Sequence, residues 1–302
     1  MATFVQEPKE TQTVSTAHQD TVHDAQLNYY GTHLATCSSD RTVKIFDCAG
    51  DQNVHVATLS GHETPIWELS WSHPKHGVLL ASCSFDGRVL IHRESPSNVW
   101  TLVHVFKGHE SSVNSCSFAP HEHGLMVAAA SSDGKISVLA HQQDDTWLPT
   151  TFQDNTLGVN AVAWAPYKSL GSTNEPRLVS GGCDNRIRFW RCDTTSGWVE
   201  DGRLGAGVGH SDWVRDVAWA PSTTPNNTVA SCSEDKTVII WTQSEVGGAW
   251  GGTLLNTFDA PVWRVSWSIT GNILAVSSGD DNVTLWKAGL DRVWRIVHSV
   301  AE

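Results

Sequence analysis

Six times along this 302-residue chain a short apolar run enters an aspartate-centred turn and leaves it as a second apolar run. The turns are Ser39-Asp40-Arg41, Phe85-Asp86-Gly87, Ser132-Asp133-Gly134, Cys183-Asp184-Asn185, Glu234-Asp235-Lys236 and Gly279-Asp280-Asp281. Their aspartates stand 46, 47, 51, 51 and 45 residues apart. Each unit is one small sheet that cannot bury both its faces alone, so units of this period must stack into a ring. The spacing predicts a single all-β propeller in place of the two domains that length alone would allow.

The fifth unit sets the register. Trp213 to Trp219 alternates as a first strand, Val229 to Ser233 is a second, Thr237 to Trp241 a third and Trp250 to Phe258 a fourth. The other units align to it, which predicts blades over about 18–60, 61–107, 108–154, 155–206, 207–258 and 259–302. The first-strand anchors are Val22, Ile66, Val113, Val159, Val214 and Val262. Five residues after them stand Leu27, Trp71, Phe118, Trp164, Trp219 and Trp267. Six residues after each turn aspartate stand Phe46, His92, Leu139, Trp190, Trp241 and Trp286. Trp100, Trp147, Trp198, Trp250 and Trp294 open five of the fourth strands. With Trp67, Trp213 and Trp263 beside the anchors, these registers absorb all 15 tryptophans as blade packing and leave none for a stacking surface.

The pattern resembles the WD-repeat family. In that family a His before the first strand, a second-strand Ser, the turn Asp and the third-strand Trp form a buried hydrogen-bond chain. Buried polar groups must satisfy one another, which gives the chain its physical sense. His210, Ser231 or Ser233, Asp235 and Trp241 match the whole set. His18, His62 and His109 match in units one to three, where Phe46, His92 and Leu139 replace the Trp. Units four and six carry Asn155 and Phe258 in place of the His, so their blades are expected to rest on apolar contacts.

One segment is left over. Thr11 to Thr16 is β-rich and precedes His18, where the outer strand of a preceding blade belongs, although six four-stranded units are already complete. A lone strand cannot satisfy its backbone groups. Either another polypeptide donates three strands and makes a seventh blade with it, or residues 1–17 are a tail and the six blades close among themselves.

Longer stretches narrow the resemblance. Asp24 to Thr32 leading into Leu34 to Arg41, Gly181 to Asn185, His210 to Ser222, Val262 to Thr270 and Asn272 to Ser277 are similar to the small WD-repeat subunits of the coat protein complex II outer coat. The likeness runs over nearly the whole chain. It implies a six-bladed open propeller, its seventh blade donated in trans by a long α-solenoid outer-coat subunit on membranes budding from the endoplasmic reticulum. It further implies a nucleoporin partner in the Y-shaped scaffold of the nuclear pore and, in some lineages, a nutrient-signalling complex. Thr11, Thr13, Val14, Thr16, Tyr29 and Tyr30 are the candidate partner contacts. The implied location is the cytoplasm, the cytoplasmic face of the endoplasmic reticulum and its vesicles, and the nuclear pore.

Composition excludes several other roles. A formal net charge of −12 opposes direct nucleic-acid binding, which needs clustered Lys and Arg. No run approaches the roughly 20 apolar residues of a membrane span, so membrane contact is expected only through partners. Seven cysteines without a CxxC pair read as reduced packing residues, and no cofactor is expected. His121-Glu122-His123 lacks further convergent ligands for a metal, and Gly205 to Gly209 precedes a strand and so cannot open a phosphate-binding helix. The Ser, His and Asp residues fall into repeat registers, which argues against an enzyme. The competing reading is a closed propeller that recognises peptides as a signalling or ubiquitin-ligase adaptor. Such a face needs exposed aromatics and Arg at its centre.

Overall fold

The computed structural model describes residues 13–301 apart from 51, 97, 170–173, 206–207, 222–225, 246, 290 and 292. These residues form six antiparallel four-stranded sheets, each a run of four consecutive strands. The first strands are Val22–Leu27, Ile66–Trp71, Val113–Phe118, Val159–Trp164, Val214–Trp219 and Val262–Trp267. Successive first strands pack side by side around a central channel, and the fourth strands form the rim. The chain is a six-bladed all-β propeller.

The aspartate turns repeat for a local reason. In all six, the residue after the aspartate is left-handed: Arg41, Gly87, Gly134, Asn185, Lys236 and Asp281, with φ between 60° and 81°. The aspartate side chain compensates by accepting from the backbone two residues on, as at Thr42, Arg88, Lys135 and Thr237. At Gly134 a Cβ would come within 2.0 Å of the Asn155 carbonyl oxygen, so that turn admits only glycine.

Each sheet has a leading face, turned to the preceding blade, and a trailing face, turned to the next. Among the described residues five apolar cores join them. Val43 and Ile45 of blade one meet Ile66 and Leu80 of blade two. Val89 and Ile91 meet Val127 and Leu139, and Ile136 and Val138 meet Leu178 and Trp190. Ile187 and Phe189 meet Val229 and Trp241, and Val238 and Ile240 meet Leu274 and Trp286. Six blades closed on themselves would need a sixth core. Among the described residues none joins blade six to blade one, and their first strands do not pack as a pair.

A bulge one residue after the anchor interrupts the pairing of every first strand. Bulges re-aim side chains, and here they set two rings at the channel. The bulged residues are His23, Trp67, Asn114, Asn160, Arg215 and Trp263, and most of them touch the next blade. The His23 ring lies 4.6 Å from Trp67, Trp67 Nε1 donates to Ser112 Oγ, and Asn114 and Asn160 donate to the carbonyls of Val159 and Val214. Arg215 lies over both Trp213 and Trp263, 5.2 and 4.9 Å from the ring centres. This corrects the assignment of all tryptophans to blade packing: Trp213 and Trp263 are each 44% exposed at the channel mouth. The registers placed them beside the anchors; Trp263 is turned outward by the bulge, whereas Trp213 stands in the turn just before its anchor.

Candidate partner interface at the seam between blades six and one

The seam is bounded by the leading face of blade one and the trailing face of blade six. In blade six the trailing positions are Ala275, Ser277, Val283 and Leu285, all at least partly exposed, with Val283 at 38%. The leading face of blade one carries Thr36, Lys44 and Phe46, and the N-terminal segment runs beside it. Lys44 Nζ donates to the carbonyls of Thr16 and Ala17 at 3.2 and 2.5 Å.

Of the sequence-predicted contacts, Thr13, Val14 and Thr16 lie in that segment, with Val14 and Thr16 half-buried. They belong to no sheet of this chain, and the strand expected over residues 11–16 is one that pairs only with a donated blade. A strand needs a neighbour for its amides and carbonyls, and among the described residues no strand pairs with this segment. Thr11 lies outside the described residues. Tyr29 and Tyr30 sit in the turn after the first strand, 62% and 69% exposed, their rings edge to face 5.2 Å apart. Tyr29 also meets His73 of blade two, so this pair leans away from the seam toward the next blade.

The hydrogen-bond chain lies elsewhere, on leading faces. In blade five His210 Nδ1 donates to Asp235 Oδ2 at 3.1 Å, and Nε2 lies 2.7 Å from Ser231 Oγ. Trp241 Nε1 donates to the same hydroxyl at 2.8 Å. With Nδ1 donating, Nε2 accepts the Ser231 proton, so every member is satisfied. Ser233 stands outside the chain: its hydroxyl donates to the Asp212 carbonyl and accepts from Asp235 N, bracing the turn. Burial alone would raise the Asp235 carboxyl, but donors from His210, Thr237 and Ser211 hold it well below the usual range.

The other blades vary this plan. In blade two His62 bridges Asp86 and Ser82 at 3.0 Å each, and His92 in the Trp position is kept neutral by burial, its pKa lowered to about 4. In blade three His109 holds Asp133, but Ala129 stands where the Ser would be and His109 Nε2 has no partner. In blade one His18 bridges Asp40 and Thr36 at 2.8 and 2.9 Å, so its relay faces the seam, where among the described residues no core joins it to a preceding blade.

Blade four corrects the expectation of apolar contacts. Asp154 takes the place of the imidazole: its carboxylate accepts from Ser180 Oγ, Trp190 Nε1 and Arg188 Nη1, and Arg188 also pairs with Asp184. An acid beside Asn155, joined to an Arg on the third strand, rebuilds a satisfied polar network with different residue types. In blade six Val276 occupies the Ser position, and Trp286 Nε1 turns to Thr284 Oγ1 at 2.9 Å.

An open ring implies exposed outward faces on blades one and six, but the residues of the blade-six face were not among the sequence-predicted contacts. Its residue types nearly match those of blade five, so only the absence of a following core marks it.

Comparison with known proteins agrees with this architecture. The WD domain, G-beta repeat family matches residues 9–47, 53–93, 100–138, 146–191, 204–242 and 252–287. The chain is 47% identical to a protein named Protein SEC13 homolog from Dictyostelium discoideum, over 96% of this chain and 98% of that protein. It is 47% identical to Protein transport protein SEC13 of Yarrowia lipolytica, over 96% and 99%. A Drosophila melanogaster Protein SEC13 homolog is 46% identical over 94% of this chain and 82% of its own length. Six matched repeats and near end-to-end identity at this level make the chain a member of the WD-repeat family, in its SEC13 branch.

Proposed function

We propose that this chain is a non-enzymatic scaffold subunit of the coat protein complex II outer coat, acting in transport from the endoplasmic reticulum to the Golgi. Its relatives carry the name of protein transport proteins. It works by accepting at the seam a three-stranded blade from an α-solenoid partner, whose outer strand pairs with Thr11 to Thr16 by β-augmentation. The same seam serves a Y-complex nucleoporin at the nuclear pore and, in some lineages, a nutrient-signalling complex. Location follows the partner: cytoplasm, the cytoplasmic face of the endoplasmic reticulum and its vesicles, and the nuclear pore. No helix of the described residues is long and apolar enough to cross a membrane, so membrane contact passes through partners.

The observation that carries this reading is five cores for six blades. An open seam leaves the trailing face of blade six for a donated sheet. A closed peptide receptor would need the sixth core. The exposed Trp213 and Trp263 at the channel mouth, with the half-buried Arg215 over both rings, do favour some recognition there, as a second role of the same open ring.

The test is co-expression of the full chain with the candidate blade segment of the solenoid partner, followed by gel filtration and hydrogen exchange. A one-to-one complex with new protection at Thr13 to Thr16 and at Val283 is expected. Co-elution without protection at either place, or no co-elution, overturns the donated-blade reading.

A further inference from the structure

Two residues after each first-strand anchor, the bulge aims one side chain into the channel: Asp24, Glu68, Ser115, Ala161, Asp216 and Arg264. In four blades this side chain accepts a hydrogen bond from the first strand of the next blade. Asp24 takes Leu69 N at 2.9 Å, Glu68 takes Cys116 N at 3.0 Å, Ser115 takes Val162 N at 3.2 Å and Asp216 takes Val265 N at 3.0 Å. The position is thus an acceptor that hands one blade to the next. Blade four has Ala161 and makes no such bond.

Blade six breaks the pattern in chemistry. A guanidinium has five donors and no acceptor, so Arg264 cannot serve a following strand in this way. It reaches across the channel. Nη1 donates to Glu68 Oε1 at 2.7 Å, Nη2 lies 3.4 Å from the Trp67 carbonyl oxygen, and Nη2 stands 3.9 Å from Asp24 Oδ1. Among the described residues these are the only hydrogen bonds and ion pairs between blade six and blades one and two. The carboxylates are largely covered, with side-chain exposures of 15% for Glu68 and 8% for Asp24. Such a pair is directional and costly to leave half-made.

We infer that Arg264 is a positioning residue of the seam, a tie across the channel that holds blade six at a set distance from blades one and two before a partner arrives. This rests on the reading of the seam as a blade acceptor. Without the tie, the five cores hold the blades in a chain whose two ends share no other hydrogen bond or ion pair among the described residues. Each interface then contributes its own small freedom to the width of the gap. With the tie, the gap is preset, and less ordering remains to be done on binding. Glu68 is suited to the role because it serves both neighbours at once, Oε2 toward blade three and Oε1 toward blade six. Burial raises its carboxyl to about 7, with Arg264 opposing that rise and Asp24 and Asp216 adding to it.

The test measures the gap directly in the full chain. Nitroxide labels on unnatural residues at positions 30 and 269, 69% and 92% exposed on blades one and six, avoid the native cysteines. Pulsed distance measurement on the unsubstituted protein should give one narrow population. Arg264→Met should shift it longer and broaden it, and Glu68→Gln, which keeps an acceptor for Cys116 N, should do the same. The double variant should add nothing to Arg264→Met. An unchanged distribution in both single variants, with unchanged circular dichroism, overturns the tie. In a second arm the partner blade segment should bind Arg264→Met about tenfold more weakly, or ~1.4 kcal/mol; equal affinity there also overturns it. If the unsubstituted chain captures no blade at all, the acceptor reading fails, and the distance arm still decides the tie.

Discussion

The trailing faces of blades five and six are built from nearly the same residues and meet different fates. Ala230, Cys232, Val238 and Ile240 of blade five are at most 3% exposed. Their counterparts in blade six, Ala275, Ser277, Val283 and Leu285, keep contact with solvent, Val283 at 38%. Composition separates them little: Ala answers Ala, Val answers Val, Ile answers Leu, and only Cys232 against Ser277 differs in polarity. The neighbour does. Blade five is covered by Leu274, Val276 and Trp286 of blade six, and blade six by nothing among the described residues. An apolar face that the chain builds and no described residue covers is exposed surface of the kind that marks interaction sites in general.

The sharpest way to break this comparison is to place a charge at the paired positions. Val238→Asp buries an unpaired carboxylate in a closed core and should cost upwards of ~3 kcal/mol, enough to lower expression and melting temperature sharply. Val283→Asp should change the melting temperature of the isolated chain little, within about 0.5 kcal/mol, while abolishing capture of a blade segment. Equal destabilisation by both would mean that blade six is covered after all.

A smaller difference is expected at the turns. Asp235→Ala strands His210 and Ser211 N and should cost on the order of 1–3 kcal/mol. Asp280 of blade six is exposed and, among the described residues, holds Ser278 and Asn282 within its own turn, so Asp280→Ala should be close to neutral in denaturant melts. A large loss at Asp280 would show that the blade-six turn carries the ring in a way its contacts do not suggest.

The smallest effect is a pH dependence. Asp40, Asp86, Asp133 and Asp235 are held below the ordinary carboxylate value: burial opposes this, and hydrogen bonds from His18, His62, His109 and His210 and from neighbouring backbone outweigh it. A depressed carboxyl binds protons less tightly folded than unfolded. Its contribution is therefore complete above about pH 4 and is lost as pH falls below that. Melting temperature should drop on acidification below pH 4, and by less in Asp235→Ala. An equal drop in that variant would show that the relay in blade five is not what acid attacks.

Much of this was written in the chain at short range. The aspartate spacing located all six sheets, because an Asp that caps its own turn is a local requirement, met within two residues at Thr42 or Thr237. The relay of blade five was legible because each member has its own register. Blade four was misread because Asp154 gains its role only when Arg188 and Trp190 arrive from a strand more than thirty residues on. Trp263 was misplaced because a bulge, invisible in an alternating pattern, turns it outward, and Trp213 because it lies in the turn before its strand and not in it.

By itself, then, the sequence determined the repeat, its strands, its turns and the number of blades, since each depends on contacts made within one unit. Only the tertiary structure decided that five cores join six blades, that Val283 stays open where Val238 is sealed, and that Arg264 finds Glu68 from 196 residues away. Those outcomes depend on which units become neighbours in space. A local pattern carries no term for that, because the same alternating face is a finished core or an open seam according to what packs against it.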